Sequence, residues 1–268
     1  MTLTKVQAYG NDFLYADAVQ AGSPDASARS DWAEVARRLC ERHTGVGADG
    51  LIVYLETARG ASMRLFNADG SPSEVSGNGV RGLAALLAWR HDSPPATECV
   101  VETEAGPKAL VLIDRQGARF TCRANMGHPS DVRRLSLDVG DETVAAVALR
   151  VGNPQCVVLE PHLDESRYRR LGPLLERHPA FPQRTNVEFA EVVPPGTVRI
   201  LIWERGVGPT LASGTGACAA AVAAMQFGGA SRSVDVVSVG GSQRVDWTDD
   251  GLSLTGWAEI VWEGRWIP

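Results

Sequence analysis

The sequence is poor in cysteine and has no long apolar run, and both absences narrow what the protein can be. Its 5 cysteines among 268 residues form no Cys-x-x-Cys pair, so neither a disulfide framework nor a zinc site is expected. No stretch approaches the roughly 20 apolar residues of a membrane span. Residues 1–10 carry neither the charged nor the apolar region of a secretion signal. We therefore expect a cytoplasmic protein with reduced thiols and no bound metal.

Positive charge is also scarce. The chain has 26 Lys and Arg against 32 Asp and Glu, a net charge of −6. Nucleic acids and anionic membranes offer no counter-charge to such a surface, so neither is an expected partner. The hydrophobic share of 44% and the charged share of 22% are those of an ordinary folded protein. A small-molecule partner is therefore expected, on one large domain or on two of about 130 residues each.

Short apolar or alternating runs recur along the chain, and this pattern predicts strands. They begin near residues 51, 63, 99, 108, 119, 143, 186 and 197, and a group of closely spaced strands is predicted from residue 234 onward. Helices are fewer. The apolar spacing from Trp32 to Leu39 predicts one helix, and others are predicted to open after Ser76, to cover 165–176 and to open after Ser213.

An internal repeat indicates the architecture. The segment "SGNGVRGLAALLA" at 76–88 aligns with "SGTGACAAAVAAM" at 213–225. The flanking matches are Phe66-Asn67 with Trp203-Glu204, and Gly10-Asn11 with Gly152-Asn153. We therefore predict an α/β fold with two pseudo-symmetric domains, each a β-sheet wrapped around a central helix, whose helix starts face each other across a cleft. Chance similarity between two Gly/Ala-rich helices is the alternative.

The two helix starts predict a binding site. A helix N-terminus presents unpaired N–H groups and partial positive charge, and glycines let an anion approach the backbone. Taken alone, either serine is interpreted as an ordinary N-cap. Polar residues at strand ends and helix starts complete a pocket for a zwitterion, with carboxylate on the helix starts and the arginine and with ammonium near the glutamate. The predicted binding residues are Asn11, Asn67, Gly77, Asn78, Asn153, Asn186, Glu204, Arg205, Gly214 and Thr215.

Eight segments in order resemble the diaminopimelate epimerase family, from Asn11 to beyond Ala221. They are "GNDF", "RHTGVGADGLI", "LFNADGS", "SGNGVRGLA", "NMGHP", "VGNPQCV", "LGPLLERHPAFPQRTNVEF" and "WERGVGPTLASGTGACAAA". The resemblance implies a cofactor-independent isomerase, usually a homodimer, that interconverts LL- and meso-diaminopimelate on the route to lysine and cell-wall peptide. It also implies a first domain of residues 1–115 with the final strand at about 257–268, and a second domain of residues 116–256.

The family's chemistry uses one cysteine at each helix start, and here Ser76 and Ser213 stand in those positions. The resemblance therefore makes them the catalytic pair. A helix start lowers the pKa of a thiol, whereas a serine hydroxyl is weak unless a base activates it. The family's histidine in Gly-Asn-Pro-His is replaced as well, by Gln155. The chain is therefore expected to be inactive or very slow as an epimerase.

Three explanations of the serines stay open: an engineered double Cys→Ser form, a natural paralogue, or a slow serine acid and base. Two other functions also stay open. One is a carboxylate-driven isomerase of the phenazine-pathway type, in which Glu204 would serve. The other is a non-catalytic amino-acid-binding protein.

Overall fold

The computed structural model describes residues 1–20, 22, 31–193 and 196–267. The chain divides into two compact units. The first unit is Met1–Ala124 together with Trp257–Pro268, and the second is Asn125–Gly256. The edge of the first unit lies beyond residue 115, where the sequence predicts the domain boundary, because the strand Arg119–Gly127 carries the chain from one unit into the other.

The structure is mixed α/β, as the sequence predicts, and strands outnumber helices. The helices are α1 Trp32–Cys40, α2 Gly77–Arg90, α3 Glu165–Glu176 and α4 Gly214–Phe227. The strands are β1 Thr2–Ala8, β2 Asn11–Asp17, β3 Gly50–Thr57, β4 Gly60–Asn67, β5 Pro72–Ser73, β6 Glu98–Glu102, β7 Lys108–Gln116, β8 Arg119–Gly127, β9 Ser130–Val139, β10 Glu142–Val151, β11 Asn153–Glu160, β12 Asn186–Val193, β13 Thr197–Glu204, β14 Gly208–Thr210, β15 Ser233–Ser238, β16 Gly241–Thr248 and β17 Gly251–Arg265. Among the described residues, no helix has the length and apolarity needed to span a bilayer.

In the first unit, the strands close into a barrel. Their order is β1, β2, β3, β4, β6, β7, β8 and β17, and β17 pairs back with β1. Helix α2 packs against β1, β2, β6 and β7. Every residue of α2 from Asn78 to Ala88 is buried, and a helix that is buried on all sides belongs to a core. Helix α1 buries Trp32 and Leu39 in a separate apolar cluster with Leu51 of β3.

In the second unit, the strand order is β9, β10, β11, β12, β13, β15, β16 and the start of β17, with the short β14 beside β13. Helix α4 packs against most of these strands and is buried from Gly216 to Ala224. Strand β12 lies between two apolar clusters, because its side chains alternate between its two faces. Val187 and Phe189 pack in the cluster of α3, and Ala190 packs in that of α4.

Candidate active site

Each of the two predicted catalytic serines is the N-cap of a buried helix. Ser76 has φ −130° and ψ 124°, and its Oγ accepts a hydrogen bond of 3.2 Å from the N–H of Gly79. Ser213 has φ −142° and ψ 129°, and its Oγ accepts a hydrogen bond of 3.2 Å from the N–H of Gly216. Capping uses a lone pair of the hydroxyl and leaves its proton available as a donor. Each serine can therefore cap its helix and still give a proton to another group.

In the first unit, Asn11 and Asn78 lie together beside the start of α2. The Asn11 amide donates to Asp49 Oδ2 at 2.7 Å, and its Oδ1 accepts from Asn78 Nδ2 at 3.3 Å. Asn78 Oδ1 accepts in turn from the buried guanidinium of Arg81 at 3.0 Å. The orientation of both amides is thus set by groups on either side of them.

Asn67 and Gly77, also in the first unit, are exposed. The Asn67 amide donates to Ser71 Oγ at 3.0 Å within the turn that follows β4, so its oxygen and its second amide proton remain for a ligand. A Cβ added at Gly77 would meet no atom within 4 Å, so the backbone at the start of α2 is open to an approaching group.

In the second unit, three of the predicted residues surround the end of β13. Asn186 is 4% exposed, and its Oδ1 accepts from the N–H of Arg205 at 2.9 Å. The exposed Arg205 side chain donates to the Gln183 carbonyl at 3.1 Å. Burial raises the pKa of Glu204, and the nearby Thr210 hydroxyl partly offsets that rise. A glutamate with a raised pKa is better able to hold a proton near neutral pH.

The remaining predicted residues of this unit lie on β11 and at the start of α4. Asn153 Oδ1 accepts from Gln155 Nε2 at 2.6 Å. The hydroxyls of Ser213 and Thr215 lie 3.5 Å apart. Unlike Gly77, Gly214 has a close neighbour, because a Cβ added there would lie 2.9 Å from Leu254 Cδ2. The two helix starts therefore differ in how freely a ligand can reach the backbone.

Sequence reasoning missed Glu188 of β12. This side chain is 0% exposed, and neither of its carboxyl oxygens has a hydrogen-bond partner among the described residues. Burial, and to a smaller extent the nearby Glu204, raise the pKa of Glu188 well above that of an ordinary glutamate. A signal was present in the sequence: alternation along "NVEFAEVV" puts Glu188 on the same face as Ala190, where a core strand would carry an apolar residue.

Solved structures share this fold. A predicted epimerase from Pseudomonas aeruginosa superposes with a TM-score of 0.73 at 16% identity, over 100% of this chain and 99% of that one. A probable proline racemase from Agrobacterium radiobacter superposes with a TM-score of 0.70 at 16% identity, over 99% of this chain and 92% of that one. At such identities the likeness establishes the fold, a mixed α/β architecture that these two proteins also have.

Sequence comparison identifies the family. The family model described as diaminopimelate epimerase matches residues 3–132 and 147–261. The diaminopimelate epimerase of Desulforudis audaxviator is 43% identical, over 100% of this chain and 99% of that protein. The chain belongs to the diaminopimelate epimerase family and is an isomerase of the epimerase type. The resemblance drawn from the eight sequence segments is thereby confirmed.

Proposed function

We propose that the chain is a cofactor-independent epimerase that interconverts LL- and meso-diaminopimelate, with Ser76 and Ser213 as the two groups that move the α-proton. The observation that carries this proposal is the matched setting of the two serines. Each Oγ lies 3.2 Å from the third amide of a helix of 14 residues. Family membership along nearly the whole chain supports the choice of substrate.

The reaction needs one proton acceptor and one proton donor. One serine oxygen takes the α-proton while the electron pair of the broken C–H bond stays on the α-carbon. The hydroxyl of the other serine gives a proton to the opposite face, and the configuration inverts. The negative charge that develops on the substrate is stabilised by backbone N–H groups at the helix starts, those of Gly77-Asn78 and Gly214-Thr215.

The neighbouring polar residues account for binding of an amino acid. Arg205 is the cation offered to a carboxylate, and the Glu204 carboxyl is the acceptor offered to an ammonium group. The amides of Asn11, Asn67, Asn153 and Asn186 supply further donors and acceptors. The pseudo-symmetric two-domain arrangement, the homodimer and the cytoplasmic location belong to the same proposal. The division of the chain into two units, each with one serine-capped core helix, supports the two-domain arrangement.

Turnover in this form is slow, because a serine hydroxyl is a much weaker acid and base than a helix-capping thiol. Binding persists, because the backbone donors do not depend on whether oxygen or sulfur caps the helix. Calorimetry with meso-diaminopimelate tests binding directly. A correctly folded chain that gives no heat at millimolar ligand would point to another substrate.

The test of the chemistry is the double change Ser76→Cys with Ser213→Cys. We expect it to create epimerase activity, measured as loss of optical purity and solvent deuterium uptake by LL-diaminopimelate. Either single change should give far less, since each face of the α-carbon needs a competent group. Ser231→Cys adds a thiol at an exposed position and should change nothing. A double variant that binds substrate and exchanges no α-proton would remove the proposal and favour the carboxylate-driven isomerase centred on Glu204.

A further inference from the structure

The Glu188 carboxyl is buried against the first turn of α4. A Cβ added at Gly216 would lie 2.6 Å from Glu188 Oε1 and 3.2 Å from Ser213 Oγ. The carboxyl oxygen and the serine hydroxyl oxygen both lie within 3.2 Å of the point that a Cβ of residue 216 would occupy, and they make no hydrogen bond with each other in this structure. Because residue 216 is a glycine, no side chain at that position separates the Glu188 carboxyl from the Ser213 hydroxyl.

Among the described residues of the first unit, the corresponding position beside its serine holds an isoleucine and not a carboxyl group. Ile52 is the third residue of β3, just as Glu188 is the third residue of β12. A Cβ added at Gly79, the third residue of α2, would lie 2.8 Å from Ile52 Cδ1 and 3.6 Å from Ser76 Oγ. Ile52 therefore lies beside the first turn of α2, at the position that the Glu188 carboxyl occupies beside the first turn of α4. The two helix starts are therefore alike in backbone and unlike in chemistry.

A glutamate at this position destabilises the folded state. A buried oxygen without a hydrogen-bond partner destabilises the folded state, and an ionised carboxylate away from water destabilises it further. An isoleucine fills the corresponding position in the first unit, so the packing of such a helix start against its strand does not require a carboxyl. An unsatisfied buried acid beside a reactive position is the kind of exception that calls for a chemical role.

We propose that Glu188 is the proton partner of Ser213. The inference rests on the proposed function, because it assigns a source and destination for the proton of one of its two serines. As Ser213 Oγ takes the α-proton, its own O–H bond breaks and that proton passes to the Glu188 carboxylate, so the serine is a neutral hydroxyl before and after the step. In the reverse direction the Glu188 acid returns the proton to Ser213 Oγ as the serine protonates the α-carbon. Glu188 acts through Ser213 and does not touch the substrate, so it is a positioning residue.

The surroundings of Glu188 suit this exchange. The titratable group that acts on it is Glu204 of β13, and Glu188 in turn raises the pKa of the Cys156 thiol of β11. Neither of these groups is a cation that would hold the carboxylate in its charged form. Burial and the Glu204 carboxyl both raise the pKa of Glu188, which strengthens it as a base for a hydroxyl proton. In capping α4, Ser213 Oγ accepts a hydrogen bond from the N–H of Gly216, so the hydroxyl proton is not used in the cap.

The first experiment compares α-proton exchange in deuterated solvent for the unaltered chain and for Glu188→Gln, which keeps shape and removes the titration. We expect the exchange rate to fall by about 10²-fold with substrate affinity unchanged and with its pH dependence flattened. Glu188→Asp should recover part of the rate. Glu191→Gln, a change to another buried carboxyl of β12, is the matched control and should keep the full rate. Equal exchange by the unaltered chain and Glu188→Gln, or a loss of affinity alone, would overturn the assignment.

The second experiment needs no turnover and so separates this inference from the proposed function. Carbon NMR of carboxyl-labelled glutamate follows the titration of Glu188, identified by its absence in Glu188→Gln. A hydroxyl that donates to the carboxylate stabilises its charged form, so Ser213→Ala should move the midpoint upward by about half a pH unit or more. Ser76→Ala, the corresponding change in the first unit, should leave it in place. A midpoint indifferent to Ser213→Ala would exclude the partnership even if the chain proves an active epimerase.

Discussion

The raised pKa of Glu188 makes the free energy of unfolding decrease as the pH rises. Glu188→Gln should abolish the contribution of Glu188 to that decrease. In the unfolded chain a glutamate loses its proton near pH 4.3, whereas in the folded chain burial keeps the proton on Glu188 to a higher pH. Between those two pKa values the folded state binds one more proton than the unfolded state. The free energy of unfolding then decreases by about 1.4 kcal/mol per pH unit across that interval.

Urea unfolding followed by tryptophan fluorescence at about pH 5, 6 and 7 measures this effect. The difference in unfolding free energy between Glu188→Gln and the unaltered chain should grow steadily in favour of the variant as the pH rises. The smaller contribution of Glu204, whose pKa is also raised, is present in both proteins and cancels in the difference. Glu191→Gln should keep the decline, since Glu188 is intact there. Parallel profiles for Glu188→Gln and the unaltered chain would refute the argument that burial raises the pKa of Glu188.

Two further predictions concern the same helix starts. Gly216→Ala should destabilise the chain by about 1–3 kcal/mol, because its Cβ would lie 2.6 Å from Glu188 Oε1. Urea unfolding should show that most of this loss of stability disappears when Glu188 is also changed to alanine. An equal loss in both backgrounds would mean that the clash is with another group. Burial raises the pKa of the Cys99 and Cys122 thiols to about 11, so in a Ser213→Cys variant at neutral pH iodoacetamide should alkylate the new helix-capping thiol first, as read by peptide mass spectrometry. Earlier labelling of Cys99 or Cys122 would contradict this.

The sequence predicted the helices better than the strands. All four helices found among the described residues were anticipated, because a glycine-rich start or an apolar spacing marks each of them. The predicted strands did not include β1, β2, β9 or β11, nor the short β5 and β14. Strand β9 reads "SDVRRLSLDV", and its charged residues hide the alternation that buries Leu137 and Val139. Strand β11 begins directly after Gly152, where the sequence pattern suggests a turn.

The sequence predicted the local structure around the candidate site, but not the contacts that join distant parts of the chain there. That Ser76 and Ser213 cap helices follows from residue type and the glycines beside them. The hydrogen bond between Asn11 and Asp49 joins residues 38 positions apart, and no local pattern announces it. Glu188 is inconspicuous for a similar reason. Its importance comes from facing Gly216, which only the folded chain brings next to it.

The path of β17 dictates an order of events during protein synthesis. Its later residues pair with β1, and the N-terminal amine of Met1 donates to the Trp266 carbonyl at 3.2 Å. The ribosome makes these residues only after all of Asn125–Gly256. Domains usually fold in order from the N-terminus as they are synthesised. Here the second unit is fully synthesised before the last strand of the first unit has been made. Until then β1 has an open edge, so a chain stalled before residue 257 should be prone to edge-to-edge aggregation.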